Sequence, residues 1–110
     1  MQIKFTARRF RARPEIKEHA IEQVKKLDRF FDGIFNTDVI LSFEGAKKNI
    51  KIAEINLHVH GSVLTAKEKS DDFRKSIDFA VEKLSMQLEK YKTKLRSKDK
   101  NKVRELKLKV

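Results

Sequence analysis

Between Phe73 and Leu95 the apolar residues Phe73, Ile77, Ala80, Val81, Leu84, Leu88, Tyr91 and Leu95 recur at helical spacing. At about 100° per residue they fall within roughly 40–60° of one direction. A helix with so continuous a seam has to lay it on a broad apolar surface, and a sheet is the economical way to provide one. The rest of the chain supplies strands. "QIKFTAR" alternates, with Ile3, Phe5 and Ala7 on one face. Val39, Leu41 and Phe43 share a face of "TDVILSFEG", and Ala53, Ile55, Leu57 and Val59 share a face of "NIKIAEINLHVHG". "SVLTAKEK" adds a shorter strand with Leu64 and Ala66 inward. "EGAKKN" reads as a hairpin loop and "HGS" as a tight turn.

A second helix precedes the hairpins. Pro14 suits its first turn, and Glu15 and Glu18 favour its amino-terminal dipole. Ile16, Ala20, Val24, Leu27 and Phe31 then recur at spacings of four, four, three and four. Phe30 and Phe31 read as core and helix-end packing, and Gly33 as a left-handed cap. Ser70 reads as the N-cap of the last helix, with Asp71 and Asp72 in its first turn and its end near Arg96. The predicted fold is α+β: a βαβββα two-layer sandwich, with a four-stranded sheet and both helices packed on one face. The 110 residues fit one domain, assigned to 1–96. Residues 97–110 are expected to be a basic, flexible tail in which Leu106, Leu108 and Val110 alternate weakly like a strand.

The chain has no Cys, which excludes a disulfide framework, a Cys-based zinc site and a thiol nucleophile. No apolar run approaches the roughly 20 residues of a membrane span. "MQIKFTARRF" lacks the apolar stretch of a signal peptide, so a soluble, cytoplasmic protein is expected.

Charge is the other strong signal. The net charge is +11, and both ends carry it. Lys4, Arg8, Arg9, Arg11 and Arg13 stand in 1–14 with no acid, and residues 90–110 hold ten Lys or Arg against Asp99 and Glu105. The stretch 15–89 is nearly balanced, with 12 basic and 14 acidic residues. Concentrated cationic patches suit a polyanion, because they release the counterions condensed on phosphates. On the last helix the signs are sorted. Lys83, Gln87, Lys90 and Lys94 fall together about 110° to one side of the seam, while Asp78, Glu82 and Glu89 fall on the other. The basic flank covers about three turns, or roughly 15 Å, enough for several successive phosphates. Phe79 points nearly opposite the seam beside these lysines. It either stacks on a base or packs on a partner, or it is a single exposed apolar residue of the ordinary kind. Arg8 and Arg9 stand where the first strand ends.

The stretch "DDFRKSIDFAVEKLSMQLEKYKTKL" is similar to the pattern of the short-form ribosome hibernation promoting factors, the family also called ribosome-associated inhibitor or sigma-54 modulation protein. Phe73, Ile77, Asp78, Glu82, Lys83, Leu84, Gln87, Leu88, Lys90, Lys92 and Lys94 match it. "KKLDRFFDGI" and "VLTAKEKSDDF" also resemble family segments, and the likeness covers about residues 1–95. The resemblance implies a shape related to double-stranded-RNA-binding domains. It further implies binding to ribosomal RNA in the decoding channel of the small ribosomal subunit of bacteria, with translation blocked. Lys83, Gln87, Lys90, Lys92 and Lys94 would make the contacts, and Arg8 and Lys26 would add to them. A monomer off the ribosome is expected, with no cofactor, metal or small-molecule substrate. "RRFRARPEIKEH" departs from the family by being more basic and by containing Pro14.

Other readings carry less. His58 and His60, two apart on a strand with Glu54 nearby, are a possible metal pair, but no clear third ligand accompanies them. Asp78 and Glu82 stand one helical turn apart near Arg74 and Lys75, which favours surface pairing over a magnesium site. No catalytic constellation emerges, so an enzyme is not expected. A membrane-surface protein would need the apolar seam free, and the sheet claims it. A general binder of double-stranded or structured RNA is the serious alternative.

Overall fold

A computed structural model describes the backbone of residues 1–108 and the side chains of residues 1–94. The element order is β1 (Gln2–Ala7), α1 (Pro14–Phe30), β2 (Ile34–Glu44), β3 (Ile50–Val59), β4 (Ser62–Ser70) and α2 (Phe73–Leu108). The strands form a single sheet in the order β1-β2-β3-β4. β1 lies parallel to β2, which α1 makes possible by crossing over the sheet, and the other pairs are antiparallel hairpins. The predicted βαβββα architecture is the observed one.

Register puts the apolar alternation to use. Leu41 pairs with Ala53 and Val39 with Ile55, while Ile55 pairs in turn with Ala66 and Leu57 with Leu64. These residues form the floor of the core, and Ala20, Val24 and Leu27 of α1 with Phe73, Ile77, Ala80, Leu84 and Leu88 of α2 form its roof. Val81 and Tyr91 pack partly buried at its edge. The apolar seam of α2 from Phe73 to Tyr91 is therefore consumed by the sheet. Among the described residues no helix is long and apolar enough to cross a membrane.

Four local expectations are corrected. Gly33 does not take a left-handed conformation; α1 closes through Phe31, whose N–H donates to the Leu27 carbonyl at 3.0 Å. A Cβ at 33 would stand 2.7 Å from the Phe31 ring, so any side chain there requires that ring to shift. The N-cap of α2 is Asp72, whose Oδ1 accepts the Arg74 N–H at 3.0 Å. Ser70 ends β4, and its hydroxyl accepts the Asp72 N–H at 3.1 Å. Phe30 is exposed rather than core. Finally, α2 does not stop near Arg96 but continues to Leu108. Residues 97–108 contain no Gly or Pro and consist largely of Lys, Arg, Glu and Leu, so nothing interrupts propagation, and a strand-like Leu106–Leu108 alternation is not formed. The side chains of Leu95, Arg96 and the expected tail 97–110 lie outside the described residues.

One tight turn and a cluster of three loops set the two ends of the sheet. The two-residue turn His60–Gly61 joins β3 to β4, with Gly61 at φ +75°. At the opposite end, three loops come together: residues 8–13 after β1, 45–49 between β2 and β3, and 71–72 before α2.

Candidate nucleic-acid interface

The basic flank of α2 lies along the β4 edge of the sheet. Lys90 and Lys94 line an open groove of about 480 Å³ together with Gln87, Tyr91, Leu64 and the His60–Gly61–Ser62 turn. Both lysines are exposed, and among the described residues neither lies within ion-pairing distance of an acid. The groove wall is stiff. The Tyr91 hydroxyl donates to the His60 carbonyl at 2.6 Å, and the Tyr91 ring meets Phe31 edge-on at 5.5 Å between centroids. Tyr91 is thus both a seam residue and the inner wall of the groove. The sequence placed it only in the seam, because its amphipathic ring, apolar body with a polar tip, leaves no periodicity of its own.

Other members of the flank are already engaged. Gln87 donates its amide N–H to the Thr65 carbonyl at 3.0 Å, satisfying a backbone acceptor of the edge strand β4. Lys83 forms an ion pair with Glu68, whose side chain projects from the inner face of β4 and is only 17% exposed. The Glu68 Oε1 has no hydrogen-bond donor of suitable geometry, so the Lys83 ammonium is the charge that compensates it.

Lys92 faces away from this groove. Its Nζ lies 4.5 Å from the Phe30 ring centroid and donates to the Phe30 carbonyl at 3.1 Å, which ties α2 to the end of α1. Lys26 is exposed on α1, where its Nζ donates to Gln23 Oε1 at 3.3 Å. Phe79 is 47% exposed and Met86 54%, so the outward direction read for Phe79 is correct. Phe79 and Met86 stand seven residues apart on α2, two turns along one line.

Arg8 and Arg9 are not brought to Lys90 and Lys94. They line a separate groove with Ser42, Phe43, Glu44, Gly45 and Lys48, at the three-loop end of the sheet. Arg9 adopts φ +64°, a left-handed conformation uncommon for any residue but glycine, asparagine or aspartate. The loop after β1 therefore meets the beginning of α2, some 20 residues before its basic groove.

The residues weighed for a metal do not converge. His58 bonds Asp38 at 3.1 Å, Glu54 accepts from Asn56 at 3.5 Å, and His60 has left the strand for the turn. Among the described residues no group of three or more His, Asp or Glu is placed to hold a metal ion. Asp78 accepts from His19 at 2.7 Å across the two helices rather than pairing with Arg74 or Lys75, and Lys75 pairs with Asp71 at 3.4 Å. One carboxyl is clearly displaced in its titration. A 2.6 Å hydrogen bond from Lys69, reinforced by that ammonium's charge, holds the Glu44 carboxyl below its ordinary value.

A profile of the Sigma 54 modulation protein / S30EA ribosomal protein family matches residues 3–96. The chain belongs to that family. It is 33% identical over 96 residues to a ribosome hibernation promoting factor of Klebsiella oxytoca, covering 87% of this chain and 98% of that protein. It is 28% identical over 85 residues to the ribosome hibernation promotion factor of Bacillus subtilis, covering 77% of this chain and 45% of that longer protein. Among solved structures, a ribosomal subunit interface protein from Coxiella burnetii superposes with a TM-score of 0.77 at 30% identity, over 84% of this chain and 99% of that one. The N-terminal domain of Thermus thermophilus Protein Y gives 0.72 at 28% identity, over 83% and 99%. Members of this family are thus named for ribosome hibernation and for the subunit interface. The matched span ends at residue 96, so α2 beyond that point lies outside the family profile.

Proposed function

We propose that this protein binds the small ribosomal subunit through ribosomal RNA in the decoding channel and silences translation by occupying it. The reading rests on one observation above the others: Lys90 and Lys94 stand exposed and unpaired, among the described residues, over a groove stiffened by Tyr91. Ammonium groups with no protein partner among the described residues can replace the counterions of successive RNA phosphates without first breaking an ion pair. The sheet beneath supplies a body that excludes other ligands from the same space. The family membership favours the ribosome over other structured RNA as the source of those phosphates. The mechanism is steric and electrostatic, and no covalent step is required.

Co-sedimentation with isolated small ribosomal subunits tests this, with excess duplex RNA as competitor. The protein is expected to stay on the subunit, and a Lys90→Glu/Lys94→Glu variant to be lost from it. In a cell-free translation assay the same variant should no longer inhibit synthesis. If duplex RNA strips the wild-type protein from the subunit, the groove is a general phosphate clamp and the ribosomal reading fails.

A further inference from the structure

The three-loop end of the sheet carries a second basic surface that the proposed groove does not use. Arg11 and Arg13 of the loop after β1, Lys51 at the start of β3 and Arg74 at the start of α2 surround a groove of about 710 Å³. Its floor is aromatic. Phe10 stacks on Phe73 at 5.1 Å with the planes 4° apart, and Phe43 meets both edge-on. The groove of Arg8, Arg9 and Lys48 opens at the same end.

The acids in this region are mostly committed elsewhere. Glu44 is held by Lys69, Asp71 by Lys75, and Asp72 accepts the Arg74 N–H as the cap of α2. Glu15 lines the groove as well, and among the described residues it has no ion-pair partner. Neither Arg11, Arg13, Lys51 nor Arg74 pairs with an acid among the described residues. The surface is therefore cationic in net effect. It differs in kind from the lysine flank, because guanidinium groups present planar forks that bind phosphate in two places at once. They stand on separate elements around one open groove, the loop after β1 and the start of α2, an arrangement that a run of phosphates can follow. The partly buried Phe10 and Phe43 add apolar surface on which a base can rest.

We propose that this arginine-rich end is a second binding site for RNA phosphodiester backbone, distinct from the Lys90–Lys94 groove. It rests on the reading that the partner is RNA. Arg74 and Lys94 are 20 residues apart on one helix, about 30 Å along its axis, so the domain grips RNA at two separated points. Two grips fix the orientation of the domain where a single patch leaves it free to pivot.

The test measures affinity for isolated small ribosomal subunits across a salt series. It uses the full chain, R11A/R13A/R74A, R11K/R13K/R74K and K90A/K94A, each checked for native circular dichroism. Losing three phosphate contacts makes the slope of log affinity against log salt shallower by about 2, at about 0.7 per phosphate for single strands. The alanine triple is expected to show that change with at least a tenfold affinity loss, and the lysine triple to keep the slope. The lysine triple also preserves charge and solubility if the alanine triple folds poorly. Wild-type affinity and slope in the arginine variants, with K90A/K94A weakened, overturn the second site and leave the RNA reading standing. Wild-type behaviour in all variants refutes both. A loss of affinity with an unchanged slope means that this end meets a protein rather than phosphate, and also overturns the proposal.

Discussion

Lys83→Ala is expected to damage the fold, although the helical wheel puts Lys83 on the RNA-binding flank. The Glu68 side chain is only 17% exposed, and Lys83 supplies the charge opposite it. Exposed ion pairs contribute roughly 0.2–1 kcal/mol, whereas stranding one member of a buried pair costs about 3–5 kcal/mol. This pair lies between the limits, because the Lys83 side chain is 58% exposed and water screens it. Leaving the carboxylate without its compensating charge should cost about 1–2 kcal/mol, within the range for an unsatisfied buried group. For a chain of this size that corresponds to a fall in Tm of about 4–10 °C. The partner substitution decides the cause. Glu68→Gln removes the charge, so Lys83→Ala made in that background should cost less than about 0.5 kcal/mol. Denaturant melts of the two single variants and the double complete the cycle. If Lys83→Ala alone leaves stability unchanged, Glu68 is solvated well enough to stand without a partner and the reasoning is wrong. A charge reversal at 83 would place a glutamate against Glu68, so Lys90 and Lys94 are the cleaner positions for testing binding.

Phe79→Ala removes an exposed ring from the outer face of α2 and should change stability by less than about 0.5 kcal/mol, against the 3–5 kcal/mol of a core phenylalanine. If the ring stacks on a base, ribosome affinity should drop by about 1–3 kcal/mol; a large Tm shift would show that the side chain packs in the core. Gly61→Ala should cost about 1 kcal/mol by conformational strain alone, since a Cβ there meets nothing within 4 Å; thermal melts check it, and a neutral result would mean that the turn relaxes. The Glu44 carboxyl is depressed by Lys69, so its pairing supports the fold above the ordinary glutamate value and is lost as pH falls through the lowered one. NMR titration of Lys69→Met should return Glu44 toward its ordinary midpoint, and an unmoved midpoint would remove Lys69 as the cause.

The fold was legible because each element carries a period that only one face can satisfy. Leu41, Ile55 and Leu57 alternate, and Leu84 and Leu88 recur at one helical turn, so burial on a shared face was implied before any contact was known. What the sequence could not show is which charges the fold would use for itself. Lys83, Lys90 and Lys94 are alike on the wheel, yet among the described residues only Lys83 meets a carboxylate projecting inward from a neighbouring strand. Lys92 likewise looks like its neighbours in a run of alternating lysines, but a step of two residues turns it by about 200° and lays it on Phe30. Gln87 gives one of its two amide N–H donors to an edge-strand carbonyl that no helical period reveals. The same blindness hid the arginine-rich end. Arg11, Lys51 and Arg74 are separated by dozens of residues, and they meet only because one end of the sheet gathers the loops that follow β1, precede β3 and precede α2. Periodicity within an element selects the face that is buried. The partners across elements decide which exposed charges stay free to bind, and on that basis Lys90 and Lys94 at one end, and the arginines at the other, unpaired among the described residues, are cations to test.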